Sequence, residues 1–198
     1  MTEAVEGELP AGDDHTLLDT EDSTRARTRN AAEWVGIIVG ALLVALVVKT
    51  FLIQAFFIPS LSMYSTLDKG DRVLVNKLSY HVHDIHRGDV VVFKRPPGVP
   101  DTGIKDLIKR VVGLPGDRIE SRDGHVYVND KLLPETYLDA GITTVNLTRQ
   151  TVPAHRIFVM GDNRGNSEDS RVFGPIKQDL VVGRAFILVW PIPQMHLL

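Results

Sequence analysis

Fifteen consecutive residues without a charge, Trp34 to Val48 (WVGIIVGALLVALVV), set the first constraint on this chain. As a helix at ~1.5 Å per residue they extend roughly 22 Å, short of the ~30 Å hydrocarbon core of a bilayer. If the Lys49 ammonium reaches back to the interface, the apolar stretch continues through TFLIQAFFI, and residues 31–54 predict a single membrane-spanning helix. Arg25, Arg27 and Arg29 lie just before it, and basic residues beside a span stay on the cytoplasmic side. The N-terminus is therefore expected in the cytoplasm and residues 55–198 on the opposite face of the cell membrane. Two alternatives are a cleaved secretory signal and a buried core helix. The first fits less well, because the charged leader is long and no convincing small-x-small site follows the run.

Residues 1–30 hold eight Asp/Glu against three Arg, a net −5 that leaves +2 on residues 31–198. Rich in Glu, Asp, Thr and Ala, the leader buries too little apolar surface to offset its ordering entropy and is expected to be a disordered acidic tail. The weak positive balance of the remainder argues against nucleic acid as a partner. Absence of cysteine excludes a disulfide framework, a thiolate metal site and a cysteine nucleophile. A chain of 198 residues has room for one domain with a real core.

After residue 55 the pattern is that of short strands. DRVLVNKL and DVVVFKR are Val-rich and follow Gly-Asp turns at Gly70-Asp71 and Gly88-Asp89. In RIESRDGHVYVNDKLL, Asp123-Gly124 separates two alternating segments, which signals a hairpin, and Asn129-Asp130 offers a second turn. HRIFVMGDN and DLVVGRAFILVWPIP supply further strands. Helical period is confined to single turns near Ser65 to Lys69 and Pro134 to Leu138. The expected fold is mostly β: an antiparallel sheet domain preceded by one transmembrane helix.

Three stretches carry polar side chains that chemistry could use. IPSLSMYS places Ser60 and Ser62 in a Pro-bounded turn directly after the apolar run. A serine hydroxyl is protonated at neutral pH and needs a base to become a nucleophile. The histidines His81, His83 and His86 (HVHDIH) form either a metal site with Asp84 or a solvated loop, and His15, His125, His155 and His196 announce no role. Lys109 stands in DLIKRVVGLPGD with Leu107 and Val111 on its own face, and Arg110 on the other. A lysine there either points to water from an edge strand or, if buried, loses its proton more easily; a pKa near 7.5 needs ~4 kcal/mol of desolvation. The third stretch, GDNRGNSEDSR from Gly161 to Arg171, is a dense polar loop whose spacing misses a calcium-binding pattern and is otherwise compatible with a solvated loop.

Together these stretches resemble the type I signal peptidases of bacteria. IPSLSMYSTL is similar to that family's nucleophile box, GDRVLVNKLSY and RGDVVVFKRP to its strand boxes, IKRVVGLPGD to its lysine box, and GDNRGNSEDSRVFGPI to its last box. The boxes stand in the family's order behind a membrane anchor, and the resemblance covers most of residues 31–190. It implies that Ser62 is the nucleophile and Lys109 the general base. It also implies that Ser60 donates to the oxyanion beside the Ser62 N–H, and that Ser167 hydrogen-bonds and orients Lys109. Asp169 and Arg171 match a structural ion pair under the site. Phe56, Ile58, Met63 and Ile108 fall at positions that bind substrate in shallow pockets. The implied activity is removal of signal peptides from exported preproteins by a monomeric, membrane-anchored serine endopeptidase that cleaves after Ala-x-Ala and needs no metal or cofactor. Its partners would be preproteins and membrane lipid. Phe56, Phe57 and Trp190 suit either the membrane interface or packing in the core.

Two positions depart from the family pattern: Ser65 stands where proline is usual, and Gly165 where aspartate is frequent. Without a proline ring to fix φ, a less rigid turn after Ser62 is expected. Only 57 residues separate Lys109 from Ser167, which predicts a compact form without a large inserted subdomain. Two rival readings are a self-cleaving Ser/Lys protease of the repressor type, which would need a DNA-binding helical domain in place of the apolar run, and a catalytically silent tethered β-module that binds exported chains.

Overall fold

The computed structural model describes residues 33–100 and 103–198. Residues 33–47 form a helix, α1, and a π-helical turn, Val48–Leu52, follows. The acidic tail expected over residues 1–30 and the first two residues of the expected span lie outside the described residues. On α1 the side chains of Trp34, Ile37 and Leu42 are exposed. Among the described residues no helix is long and apolar enough to cross a membrane. The expected helix over 31–54 also needs correction at its end. Ile53 and Gln54 belong to the first strand, where Ile53 faces Asn76 and Gln54 faces Val75 across an antiparallel pair. Ladder bonds to a partner strand there replace the local bonds a continued helix would make.

The second unit begins at Val48. Its strands are β1 (Ile53–Phe57), β2 (Arg72–Asn76), β3 (Val90–Lys94), β4 (Asp106–Gly113), β5 (Arg118–Arg122), β6 (His125–Val128), β7 (Lys131–Leu132), β8 (Gln150–Thr151), β9 (Arg156–Met160), β10 (Ile176–Lys177), β11 (Val181–Trp190) and β12 (His196–Leu197). The larger sheet runs β1-β2-β11-β3-β4-β9-β10, with β12 added to β11. The smaller runs β7-β6-β5-β8, and the pairings in both are antiparallel. The mostly β, antiparallel architecture expected from the Val-rich runs is thus present.

Turn chemistry sets the register as the sequence suggests. Asp123 and Gly124 adopt φ of 50° and 81° between β5 and β6, and Asn129 and Asp130 adopt 52° and 67° between β6 and β7. Two consecutive positive φ values give the turn whose twist matches that of the flanking strands. Short helices outside the single turns expected are α2 (Ser79–Val82), which takes up part of the histidine cluster, and α3 (Ser170–Phe173), which follows the polar loop. Among the described residues no group of His, Asp or Glu is arranged to hold a metal ion.

The central strands are buried on both faces, so alternate residues enter different cores. Val90 and Val92 of β3 pack with Ile58, Met63, Val73 and Leu188, whereas Val91 and Phe93 pack with Val111, Ile157 and Val159. A third cluster joins Val112, Phe158 and Met160 to Ile119, Val126 and Leu147 of the hairpin region. Complete burial of a Val or Phe side chain contributes about 1.5–3 kcal/mol, so these three clusters hold the sheets together. At one edge Phe57 faces Arg72, which faces Trp190 on its other side; both aromatics are half-exposed or more, while Phe56 packs against the core.

Gly183 of β11 lies where a side chain has no room. A Cβ there would sit 2.4 Å from the carbonyl oxygen of Asn76 on β2. Gly183→Ala is expected to destabilise the unit by about 1–3 kcal/mol, seen as a lower urea midpoint at unchanged slope; an unchanged midpoint would contradict the close packing of β2 on β11.

Candidate active site

Lys109 occupies the middle of β4, opposite Val91 of β3, and is only 3% exposed. The edge-strand alternative, with the amine in water, is excluded by that burial. β9 pairs with β4 only from Arg110 onward. The turn that carries Ser62 closes against the strand: residues 62–66 make a single turn in which the Leu67 N–H donates to the Met63 carbonyl at 2.8 Å. The Lys109 Nζ lies 2.5 Å from Ser62 Oγ, and Ser60 Oγ lies 3.3 Å from Ser62 Oγ.

Burial pushes the Lys109 amine down from its ordinary 10.5 to about 8, against the pull of Asp169, Asp162 and Glu168, which favour the charged form. Asp169 is fully buried and paired with Arg171 at 2.8 Å, as expected for that pair. Burial alone would raise the Asp169 carboxyl; the Arg171 hydrogen bonds and charge, together with the Gly161 N–H, outweigh it and hold the pKa below the usual carboxylate range. One Asp169 oxygen also accepts the Arg171 backbone N–H and so caps α3.

The polar loop from Gly161 holds the Ser62 segment by its backbone. The Asn163 N–H donates to the Ser62 carbonyl at 3.2 Å, and Asn163 Nδ2 donates to the Leu61 carbonyl at 3.0 Å. A Cβ on Gly161 would lie 2.2 Å from Ser167 Oγ and 2.4 Å from the Ser62 carbonyl oxygen, so only glycine allows this approach. Ser167 is therefore at the site, but its Oγ is buried and has no hydrogen-bond partner among the described residues, and the bond to Lys109 that the resemblance implies is not made here.

The expected substrate-binding residues are placed differently. Ile58, Met63 and Ile108 are 2%, 0% and 8% exposed and lie in the core, with Phe56 packed on them. The period of the strand explains Ile108: its neighbours Leu107 and Lys109 face a cavity of about 230 Å³ at the Ser62 hydroxyl, so Ile108 points to the opposite side. The apolar wall of that cavity comes instead from Leu61, Val99, Ile104, Leu107 and Phe173.

Arg110 plays a part that the sequence reading did not assign. Its guanidinium is paired with buried Asp162 at 2.7 Å, and donates to Thr66 Oγ1 at 3.0 Å and to the Gly88 carbonyl at 2.9 Å. Thr66 Oγ1 donates in turn to Asp162 at 2.6 Å, and the ring of Tyr137 lies 4.0 Å from the guanidinium carbon. The strand β4 that carries Lys109, the turn after Ser62 and the polar loop are thus tied by one buried network. The signal was an arginine inside an apolar strand beside Lys109, which must find a buried acid.

Ser65 adopts φ of 93°, a value closed to proline. Its Oγ donates to Asp139 at 2.8 Å, which links the turn to a second loop.

A β-sheet domain that sets a serine hydroxyl against a buried, weakly basic amine has the parts of a serine hydrolase. Residues 31–190 match the family described as signal peptidase, peptidase S26. The chain is 40% identical to a probable signal peptidase I-2 of Synechocystis sp. over 161 residues, 81% of this chain and 73% of the relative. With signal peptidase I T of Bacillus subtilis it shares 35% identity over 188 residues, 90% of this chain and 95% of that one. A signal peptidase I of Enterococcus faecalis V583 of known structure aligns at 31% identity over 52% of this chain and 97% of its own, with a TM-score of 0.44. The chain belongs to the signal peptidase family, peptidase S26, and is a serine peptidase of the type I signal peptidase kind.

Two outcomes follow from this packing. Gly161→Ala should displace Ser62 or Ser167 and reduce peptidase turnover by about a hundredfold; turnover within a few-fold of the wild type would refute the contact. For stability, a lysine whose pKa is lower folded than unfolded binds fewer protons in the fold between about pH 8 and 10.5, so stability rises with pH in that window. Below it the fold bears a burial cost on the order of 3 kcal/mol. Lys109→Met should therefore raise the urea midpoint at pH 7 and lose that advantage toward pH 10.5; a lower midpoint at pH 7 would contradict it.

Proposed function

We propose that this protein is a membrane-anchored endopeptidase that removes signal peptides from exported preproteins, cleaving after small-x-small sites with Ser62 as nucleophile and Lys109 as general base. The observation that carries the reading is the Lys109 amine, 3% exposed and 2.5 Å from Ser62 Oγ at the wall of a cavity. Removal of signal peptides is what the names of the relatives describe, and the close match over most of the chain supports its transfer.

In this mechanism neutral Lys109 takes the Ser62 proton as Oγ attacks the scissile carbonyl. The Ser60 hydroxyl and the Ser62 N–H donate to the oxyanion, where loss of one donor typically costs about 3–4 kcal/mol. The Lys109 ammonium then protonates the leaving amine, and the acyl-enzyme is hydrolysed by a water that Lys109 activates. Ser167, buried and unpartnered without substrate, is kept as the hydroxyl that orients the amine once a peptide is bound. The stretch of β4 that β9 leaves unpaired, next to the cavity, suits an extended peptide, and the confined apolar wall suits small side chains.

For the anchor, the support is an uncharged run from Trp34 to Val48 whose described helical part exposes Trp34, Ile37 and Leu42. Arginines ahead of it favour an N-terminus in the cytoplasm and a catalytic unit on the far side. A preprotein held in the bilayer by its own apolar segment exposes its cleavage site at that surface, which accounts for a nucleophile 14 residues after Val48, the end of the uncharged run. Exposed Phe57 and Trp190 suit the same interface.

The test is incubation of the detergent-solubilised full chain with a preprotein, followed by N-terminal sequencing of the product. A cut after a small-x-small site is expected, lost in Ser62→Ala, Lys109→Met and Lys109→Arg, because guanidinium stays protonated. Activity should rise with pH through about 8, as the amine becomes neutral. Full activity in any of these three variants would rule out the dyad, whereas no cleavage by the wild type would favour the tethered-binder reading.

A further inference from the structure

The residue between Ser167 and Asp169 favours the charged form of Lys109 but takes no step in the mechanism above. Glu168 is exposed and lines the dyad cavity beside Asn166 and Lys109. Among the described residues its carboxylate takes no ion pair or hydrogen bond. The other charged side chains on the cavity are engaged. Arg95 turns its guanidinium into its own loop, donating from Nε to the Ile104 carbonyl at 2.9 Å, from Nη2 to the same carbonyl and from Nη1 to the Pro100 carbonyl. Lys109 rests on Ser62 Oγ and acts uncharged. Glu168 is held in place by its neighbours, since Ser167 packs on Gly161 and Asp169 is fully buried, so its backbone is fixed while its carboxylate stays open to a ligand.

We propose that Glu168 is a specificity-determining residue that favours a basic side chain, and disfavours an acidic one, at a peptide position flanking the scissile bond. The inference rests on the proposed peptidase reading. A peptide whose carbonyl carbon reaches Ser62 Oγ fills the cavity that Glu168 borders, and its adjoining side chains come within range of an uncompensated negative charge. At a partly solvated site one such pair changes an equilibrium a few-fold; attraction for lysine and repulsion for glutamate act in opposite directions, so the ratio between the two compounds both effects.

The experiment measures kcat/KM for peptides with an Ala-x-Ala site, carrying Lys, Gln or Glu either at x or at the first residue after the cut. Full-length wild type, E168Q and E168K are compared in detergent at one pH. At one of the two positions the wild-type Lys-to-Glu ratio should be about five to ten, should fall toward one in E168Q and invert in E168K, and should shrink in about 0.5 M salt. Ratios that are the same in wild type and E168Q, or a wild type indifferent to charge at both positions, would overturn the proposal. E168Q is nearly isosteric, so it carries the test even if E168K does not fold. If the wild type cuts none of the peptides, the peptidase reading fails; if it cuts all of them without regard to charge, only the role of Glu168 does.

Discussion

The arrangement depends on one amine being kept dry. Lys109 sits in the middle of the larger sheet, only 3% exposed, and little solvent reaches it to stabilise a positive charge. Three carboxylates nearby would restore that charge if they acted unopposed. Two of them do not. Asp169 is paired with Arg171 and Asp162 with Arg110, each pair buried and joined by hydrogen bonds at 2.7 to 2.8 Å. Burying such pairs contributes little to stability by itself. Here their effect is electrostatic: each arginine offsets an acid that would otherwise hold the amine protonated, and desolvation remains the larger influence on it.

The same pairs fix the geometry. Arg110 adjoins Lys109 on β4, while its partners Thr66 and Asp162 come from the turn after Ser62 and from the polar loop. The loop returns to the Ser62 segment through Asn163 and the bare Gly161 backbone. A shift of any one element therefore moves the hydroxyl relative to the amine. Ser65, at a φ closed to proline, keeps the turn in register through Asp139 from a different loop. A side-chain hydrogen bond thus tethers the turn at the position where the family pattern has proline.

Much of this was legible in the residue order. Val-rich runs behind Gly-Asp turns became β2 and β3, and Asp123-Gly124 and Asn129-Asp130 became tight hairpin turns, because positive φ is a local property. Lys109 stood out as a charge in an apolar strand for the same reason. Residues whose role depends on what folds against them were harder to read. Ile58, Met63 and Ile108 match a pocket-lining pattern, yet they fill the core beneath it. Asp162 looked like one more polar loop residue until Arg110 met it from another strand. The end of the apolar run was misread because Ile53 and Gln54 suit a helix or a strand equally, and pairing with Asn76 and Val75 decides between them.

The claim that the fold holds an uncharged lysine against a serine is tested most directly by titrating that lysine. With 13C-labelled lysine in the full-length protein in detergent, the Cε resonance that disappears in Lys109→Met can be followed against pH. The account predicts a midpoint near 8 for that resonance. A midpoint near 10.5, together with the other lysines, would show an amine in contact with water and contradict the account.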